Sequence, residues 1–282
     1  VVGDERPGSL VWSPFSNLWL YGETTRIPDA RANDINVCLG TDWGPSGTKN
    51  LLGELKAARL AAADAGWVLT DRDLVEMVTL NPGRALAPLW KRPAGQLTAG
   101  GVADVAVFAR RDDDPFASLV AAREEDVLLV VVDGRPRYGT KEHLAGAGGR
   151  RASSVAIGRR RRRVVITDPA DGDEPEGGRR GKWFFSRVTA NLGEVRRDPR
   201  ATLDAPLASA ELDPTAPAGP PSLQLSLDMP GGPGIEAGPP PPDVGVVIPP
   251  IPSLHHDRSW LRSLRGRGFH RGVLDGLADF YP

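Results

Sequence analysis

The stretch "VCLGTDWGPSGTKNLLGEL", residues 37–55, joins an apolar run to a Gly/Pro-rich turn and then to a helical pattern. A single carboxylate, Asp42, stands where the run gives out. The run Ile35–Leu39 does not alternate polar with apolar residues, and neither does Leu10–Trp12, which ends in "SPFSN". Both therefore read as strands buried on both faces, as in a parallel sheet. Between them, residues 18–34 hold a short connection with helical potential, and after them Leu51, Leu55, Ala58 and Ala62 recur at helical spacing from a start near Thr48. Strand, crossover, strand, helix is a βα architecture of two units.

Further along, "TDRD" at residues 70–73 has the form of a capping box and opens a helix through Leu74, Val75, Met77 and Val78. That helix is predicted to stop before Pro82, because the residue preceding a proline resists helical backbone angles. The segments "ADVAVF" (103–108) and "DVLLVVVDGRPRYG" (126–139) are β-rich, and Asp133-Gly134 is a two-residue hairpin signal. From about Leu144 the chain loosens into "GAGGRRASS", the arginine run Arg159–Arg163, an acidic patch at 168–178 and the aromatic "KWFFSRV" at 182–188. Of the 27 prolines, 15 fall between Pro199 and Pro252, which excludes ordinary helix or sheet there. The last segment recovers a helical stripe of Phe269, Val273, Leu274, Leu277 and Phe280, as expected of a tail docked on something.

Bulk properties narrow the function class. A formal net charge of −1 gives no whole-molecule field to attract nucleic acid or anionic membrane. The lone cysteine, Cys38, sits in an apolar run and reads as a small buried hydrophobe. It permits no internal disulfide, which fits a reducing, cytoplasmic compartment. No apolar run reaches the roughly 18 residues needed to span a bilayer. The chain opens on Val1-Val2-Gly3 and is expected to be a fragment or a processed product.

The residues themselves admit several chemistries. Asp42, leaving a parallel strand, suits a ligand crevice, and it also suits a turn or helix cap. The order Gly47-Thr48-Lys49-Asn50 puts neither lysine nor hydroxyl in register for a phosphate-binding loop. His255, His256 and Asp257 are adjacent, with His270 further on, and adjacent side chains rarely converge on one ion. The arginine run reads as a solvated charge run, its field largely cancelled by the acidic patch. Trp12, Phe15, Trp19, Tyr21 and Trp43 gather at the two strand ends, either as core or as walls of a small-molecule pocket.

Five segments in order carry a resemblance: "LVWSPFSNLWLYG" (10–22), "VCLGTDWGPSGTKNLLGELKAA" (37–58), "LVEMVTLNPGRAL" (74–86), "AGQLTAGGVADVAVF" (94–108) and "VLLVVVDGRPRYG" (127–139). Together they resemble the closing part of the amidohydrolase superfamily, in its branch of deaminases and chlorohydrolases. The resemblance implies an α/β fold: the last two strands of a (β/α)8 TIM barrel, then small β-sandwich elements and a largely irregular Pro/Arg-rich tail. The implied plan is a barrel part at 1–94, a β-sandwich closing segment at 95–143, a low-complexity linker and tail at 144–252 and a C-terminal helical segment at 253–282. It further implies a metal-dependent hydrolase of non-peptide carbon–nitrogen bonds in a small molecule. A divalent metal, zinc or iron, would be bound by Asp42, which would also shuttle the proton from water to the leaving group. Ser16, Asn17 and Trp43 would face the substrate.

The family's metal-binding histidines have no counterpart here, since no histidine precedes His143. The chain alone is therefore expected to bind no stoichiometric zinc and to be inactive, its remaining ligands lying upstream. A small-molecule substrate and a homo-oligomer are the partners the resemblance leaves open; membrane and nucleic acid are not expected. The alternative is a non-enzymatic scaffold that uses a relic barrel fragment and the Pro-rich tail as an extended ligand.

Overall fold

The computed structural model describes residues 8–43, 46–145, 152–166, 185–198, 260, 262 and 269–281. Strand β1 (Ser9–Trp12) pairs in parallel with β2 (Asn36–Leu39), with Ser9 opposite Asn36 and Trp12 opposite Leu39. A parallel pair needs a crossover, and here it consists of helices α1 (Pro14–Tyr21) and α2 (Ile27–Ala32). Each carries a proline in its first turn, where the missing N–H has no partner to lose. Burial on both faces holds for β2, whose Val37, Cys38 and Leu39 are all core, but not for β1, where Val11 is 62% exposed. The reason is that the helices flanking this pair pack on β2 and cover it, whereas β1 is the less covered edge of a sheet of two strands among the described residues.

Helix α3 (Leu51–Asp64) starts at an Asn50 cap, whose side-chain oxygen accepts from Gly53 N at 3.0 Å, not at Thr48. Its first half is buried all round, from Gly53 to Ala58, which identifies it as the central helix of the core. Leu51 is exposed, so the expected apolar stripe begins one turn later. Helix α4 (Asp71–Val78) has the expected box: Thr70 Oγ1 accepts from Asp73 N at 3.1 Å, and Asp73 Oδ2 accepts from Thr70 N at 2.8 Å. It ends before Pro82, but a further helix, α5 (Leu80–Trp90), follows at once with Pro82 in its first turn. Asn81 ties α5 to β2, donating to Val37 O at 2.7 Å while its own carbonyl accepts from Asn36 Nδ2 at 2.9 Å.

The second sheet is antiparallel. It contains β3 (Val105–Phe108), β4 (Val127–Val132), β5 (Arg135–Gly139), β6 (Ser153–Ile157) and β7 (Arg160–Val164) in the spatial order β3-β4-β5-β7-β6. Asp133 and Gly134 both have positive φ, 46° and 75°, the geometry that lets a two-residue turn follow the twist of its strands. A helix not expected from sequence, α6 (Pro115–Ala121), lies between β3 and β4 behind an Asp114 cap.

The hairpin β6–β7 corrects the expectation of an irregular tail from residue 144 and of a solvated arginine run. Four of those arginines lie on β7, and their exposure does not alternate: the first two are exposed, Arg162 is buried and Arg163 is half-buried. Arg160 and Arg161 face water. Arg162 is 5% exposed and donates to Val127 O at 2.8 Å and Glu125 O at 2.5 Å, which pins the hairpin to the start of β4.

The C-terminal 3₁₀-helical segment (Phe269–Phe280) packs on α3 through buried Leu277 and Ala278, with Gly276 against Leu60. Helix α7 (Phe185–Arg197) exposes Leu192 and Val195. The acidic patch, the Pro-rich tract, His255, His256 and Asp257 lie outside the described residues, as does the side chain of His270. No helix among the described residues is long and apolar enough to cross a membrane.

Lys56 is fully buried in this core. Its ammonium donates to Leu52 O at 3.0 Å and to Ala122 O, and lies over the Phe280 and Tyr281 rings at 5.7 and 5.6 Å. Burial pulls its pKa from 10.5 down to about 7, against the attraction of Glu124. The unfolded chain thus binds the proton more readily, so the contribution of Lys56 to stability is fullest above pH 10.5 and is lost as pH drops towards 7. Lys56→Met is expected to flatten melting temperature against pH over that window; a slope that survives the substitution would contradict the assignment.

Candidate functional site

The parallel pairing puts the C-terminal tips of β1 and β2 side by side. After Trp12 the chain turns straight into α1, whose first turn carries Phe15, Ser16 and Asn17. After Leu39 it runs through Gly40 and Thr41 to Asp42, and Gly40 N still donates to Trp12 O at 2.9 Å. Two of the expected site residues meet here: Ser16 Oγ donates to Asp42 Oδ2 at 2.5 Å. Ser16 is 1% exposed, whereas Asp42 is exposed, so a buried hydroxyl holds one oxygen of an otherwise accessible carboxylate. Asp42 also has a φ of 58°, a left-handed conformation that Asp tolerates better than most residues and that tends to occur at functional turns.

The other expected residues are placed less tightly. Asn17 accepts from the hydroxyls of Thr24 and Thr25, each at 3.3 Å, and Thr24 in turn accepts from Trp12 Nε1 at 2.7 Å. Its carbonyl is thus engaged with the crossover, and the side chain is half-buried. Trp43 is 71% exposed beside Asp42. The aromatic cluster divides: Trp12 and Phe15 are core, with Phe15 stacked on Trp19 at 5.9 Å and tilted against Trp260 at 5.5 Å, while Tyr21 and Trp43 face outwards.

Behind this tip lies a polar group that the sequence reading passed over. Glu54, on α3, is 0% exposed; its Oε1 accepts from Phe15 N at 2.9 Å and its Oε2 from the Thr48 hydroxyl. Burial raises its pKa to about 7, opposed by those two hydrogen bonds and a third from the Thr48 main chain, and reinforced by the nearby charge of Asp42. A signal for it existed: Leu51, Glu54, Leu55 and Ala58 stand at i, i+3, i+4 and i+7, so the carboxylate sits on the predicted inner face of its helix. The same burial logic pushes the Cys38 thiol up, as expected of a buried hydrophobe.

A catalytic zinc takes three protein ligands. The tip offers one carboxylate, and no group of three His, Cys, Asp or Glu side chains able to hold a metal occurs among the described residues. These residues therefore do not by themselves fit a catalytic metal. A separate cavity of about 770 Å³, lined by Ser9, Asn36, Arg31, Asp73, Arg84 and Leu89 among others, opens at the opposite, N-terminal ends of β1 and β2. Ligands of parallel sheets collect at the C-terminal strand ends, so polarity sets that cavity apart from the Ser16–Asp42 tip.

Comparison with known proteins covers the same portion of the chain. The family described as "Amidohydrolase family" matches residues 6–137. The 5-methylthioadenosine/S-adenosylhomocysteine deaminase of Pyrococcus abyssi is 32% identical over 138 residues, which are 45% of this chain and 31% of that protein. Its counterpart from Moorella thermoacetica is 35% identical over 144 residues, 46% of this chain and 33% of that protein. Among solved structures, an adenosine deaminase from Xanthomonas campestris with bound zinc aligns at 25% identity and a TM-score of 0.41, over 46% of this chain and 31% of that one. E. coli guanine deaminase aligns at 23% identity and a TM-score of 0.41, over 46% and 33%. The chain thus spans about a third of the length of the curated relatives it matches.

Gly47 keeps the loop after Asp42 closed. A Cβ on it would lie 1.7 Å from Thr41 O, and its amide donates to Trp43 O at 2.7 Å. Gly47→Ala is expected to cost at least about 3 kcal/mol, because backbone rather than a flexible side chain must move. Denaturant unfolding checks this, and an unchanged midpoint would show that the loop shifts freely.

Proposed function

We propose that this chain, whose residues 6–137 are an amidohydrolase-superfamily segment of the deaminase-like branch, is the C-terminal part of a hydrolase acting on non-peptide carbon–nitrogen bonds of a small molecule. The observation that carries this reading is the Ser16–Asp42 pair: a carboxylate at the C-terminal tip of a parallel strand, fixed by a buried hydroxyl and open on its other side. On this reading β1 and β2 are the last two staves of a (β/α)8 barrel, and the exposed side of β1 is where preceding staves pair. The second sheet would be the closing β-sandwich.

In the reaction, water adds to the carbon that bears the leaving nitrogen, the C–N bond breaks, and ammonia departs with the proton that water gave up. Asp42 is the group placed to carry that proton, since its free oxygen faces the open side while Ser16 restrains the other. Trp43, exposed beside it, offers an aromatic wall to a planar substrate, and Asn17 lies one residue from the hydroxyl that restrains Asp42. A divalent metal, zinc or iron, belongs to the whole protein on this reading, with its remaining ligands upstream of these residues. The lone buried cysteine supports a reducing, cytoplasmic setting.

The test is ammonia release by the whole protein, encoded with its upstream sequence, from the compounds named for its relatives, 5-methylthioadenosine and S-adenosylhomocysteine. Activity is expected from the whole protein and not from the 282-residue chain. Asp42→Asn is expected to lower kcat by about 100-fold or more at unchanged melting temperature, the usual range for losing a positioned proton carrier. An Asp42→Asn enzyme with full activity would remove the residue from the mechanism. An upstream sequence without strand-end histidines would remove the hydrolase.

A further inference from the structure

We propose that Glu54 is a positioning residue of this site: its carboxylate bridges the first turn of α1 to the loop after β2 and thereby sets the Ser16–Asp42 contact without touching either residue. The inference rests on the role of Asp42 proposed above. Its geometry is independent of that role. One oxygen of Glu54 accepts from the amide of Phe15, the residue before Ser16, at 2.9 Å. The other end of the bridge is Thr48, held through its hydroxyl, for which Asn50 O at 3.2 Å is the alternative acceptor, and through its main-chain amide. Phe15 and Thr48 therefore lie on the two chain segments whose tips must meet, and one side chain from a third element spans them. Every part of the bridge is dry: Glu54, Ser16 and Thr48 are 0, 1 and 2% exposed.

A purely structural role is the weaker explanation on physical grounds. Taking a carboxylate out of water costs several kcal/mol, and the hydrogen bonds from Phe15 N and from the hydroxyl and amide of Thr48 leave its pKa raised to about 7, so they offset that cost only in part. An apolar side chain of similar volume would fill the same space at lower cost, as replacements of buried charges by hydrophobic residues show. What an apolar side chain cannot do is hold Phe15 N and the Thr48 hydroxyl at one fixed separation. Misplacing a reacting group by about 1 Å can cost on the order of 100-fold in rate. A bridge that fixes the serine turn against the aspartate loop acts on that scale.

The test separates the bridge from the fold. In the full-length protein, Glu54→Leu keeps the volume and removes both acceptors. Glu54→Gln keeps an acceptor for Phe15 N, and its amide nitrogen can donate to Thr48 once that hydroxyl turns to Asn50 O. In the ammonia-release assay, Glu54→Leu is expected to lower kcat by about 10- to 100-fold with KM within about 3-fold. Glu54→Gln is expected to stay within about 3-fold of the parent in both constants. Thr48→Val, which keeps size and removes the hydroxyl's share of that arm while leaving the Thr48 amide, is expected to lower kcat by about 10-fold, and Thr48→Ser to restore it; this pair decides the matter if Glu54→Leu does not fold. Parent-like kcat in Glu54→Leu or Thr48→Val would overturn the inference, and so would an equal loss in Glu54→Gln and Glu54→Leu.

An experimental structure of Thr48→Val supplies a readout that needs no activity. The Ser16 Oγ to Asp42 Oδ2 separation is expected to open beyond hydrogen-bond distance, and a separation still at 2.5 Å overturns the inference. A parent protein without activity would sink the hydrolase reading and leave this distance to decide the role of Glu54.

Discussion

The geometry of the candidate site follows from the parallel pairing of Ser9–Trp12 with Asn36–Leu39. An antiparallel pair would place Ser16 and Asp42 at opposite ends of the sheet, because each follows the C-terminal end of its strand. The parallel pair puts both at one end, and the 23-residue interval between the strands is spent on two helices that bring the chain back. The same polarity assigns the cavity at Ser9 and Asn36 to the other end of the sheet. The strand ends thus separate the tip that carries the Ser16–Asp42 pair from the end where that cavity opens.

The central helix concentrates the electrostatic cost of this arrangement. Glu54 and Lys56 lie two residues apart on α3, both fully buried, and point to different neighbours: Glu54 to the α1 turn and Thr48, Lys56 to Ala122 O and the aromatic end of the C-terminal segment. Desolvation moves their pKa values towards each other, so that both approach 7 from opposite sides. Near neutral pH each is therefore only partly charged. Apolar residues would fill these positions more cheaply. The polar contacts are the means by which α3 fixes the tip on one side and the C-terminal segment on the other.

The portion legible from sequence is the portion where local chemistry and tertiary structure agree. The unalternating run at Val37–Leu39, the Thr70–Asp73 box and the Asp133-Gly134 turn each have a local cause that the fold leaves intact. Asp42 could be singled out because it follows a buried strand, and Ser16 because of the family pattern in which it sits. Where the reading failed, a local rule met a tertiary partner. Pro82 ends one helix and also begins the next, since the first turn of a helix tolerates it. Five arginines in a row look solvated until main-chain carbonyls at the start of β4 receive one of them, Arg162. Glu54 was hidden because its helix was read by its apolar residues, although its spacing put it among them. Val11 shows the reverse case, an apolar strand residue left exposed where the sheet has no further strand among the described residues.

The most direct measurement of the central claim is an experimental structure of the whole protein, upstream sequence included. The expected result is Asp42 with one oxygen held by Ser16 and the other directed into a cavity that side chains from preceding strand ends also line. An Asp42 carboxylate facing bulk solvent in that structure, with other residues at the head of the cavity, would contradict the account.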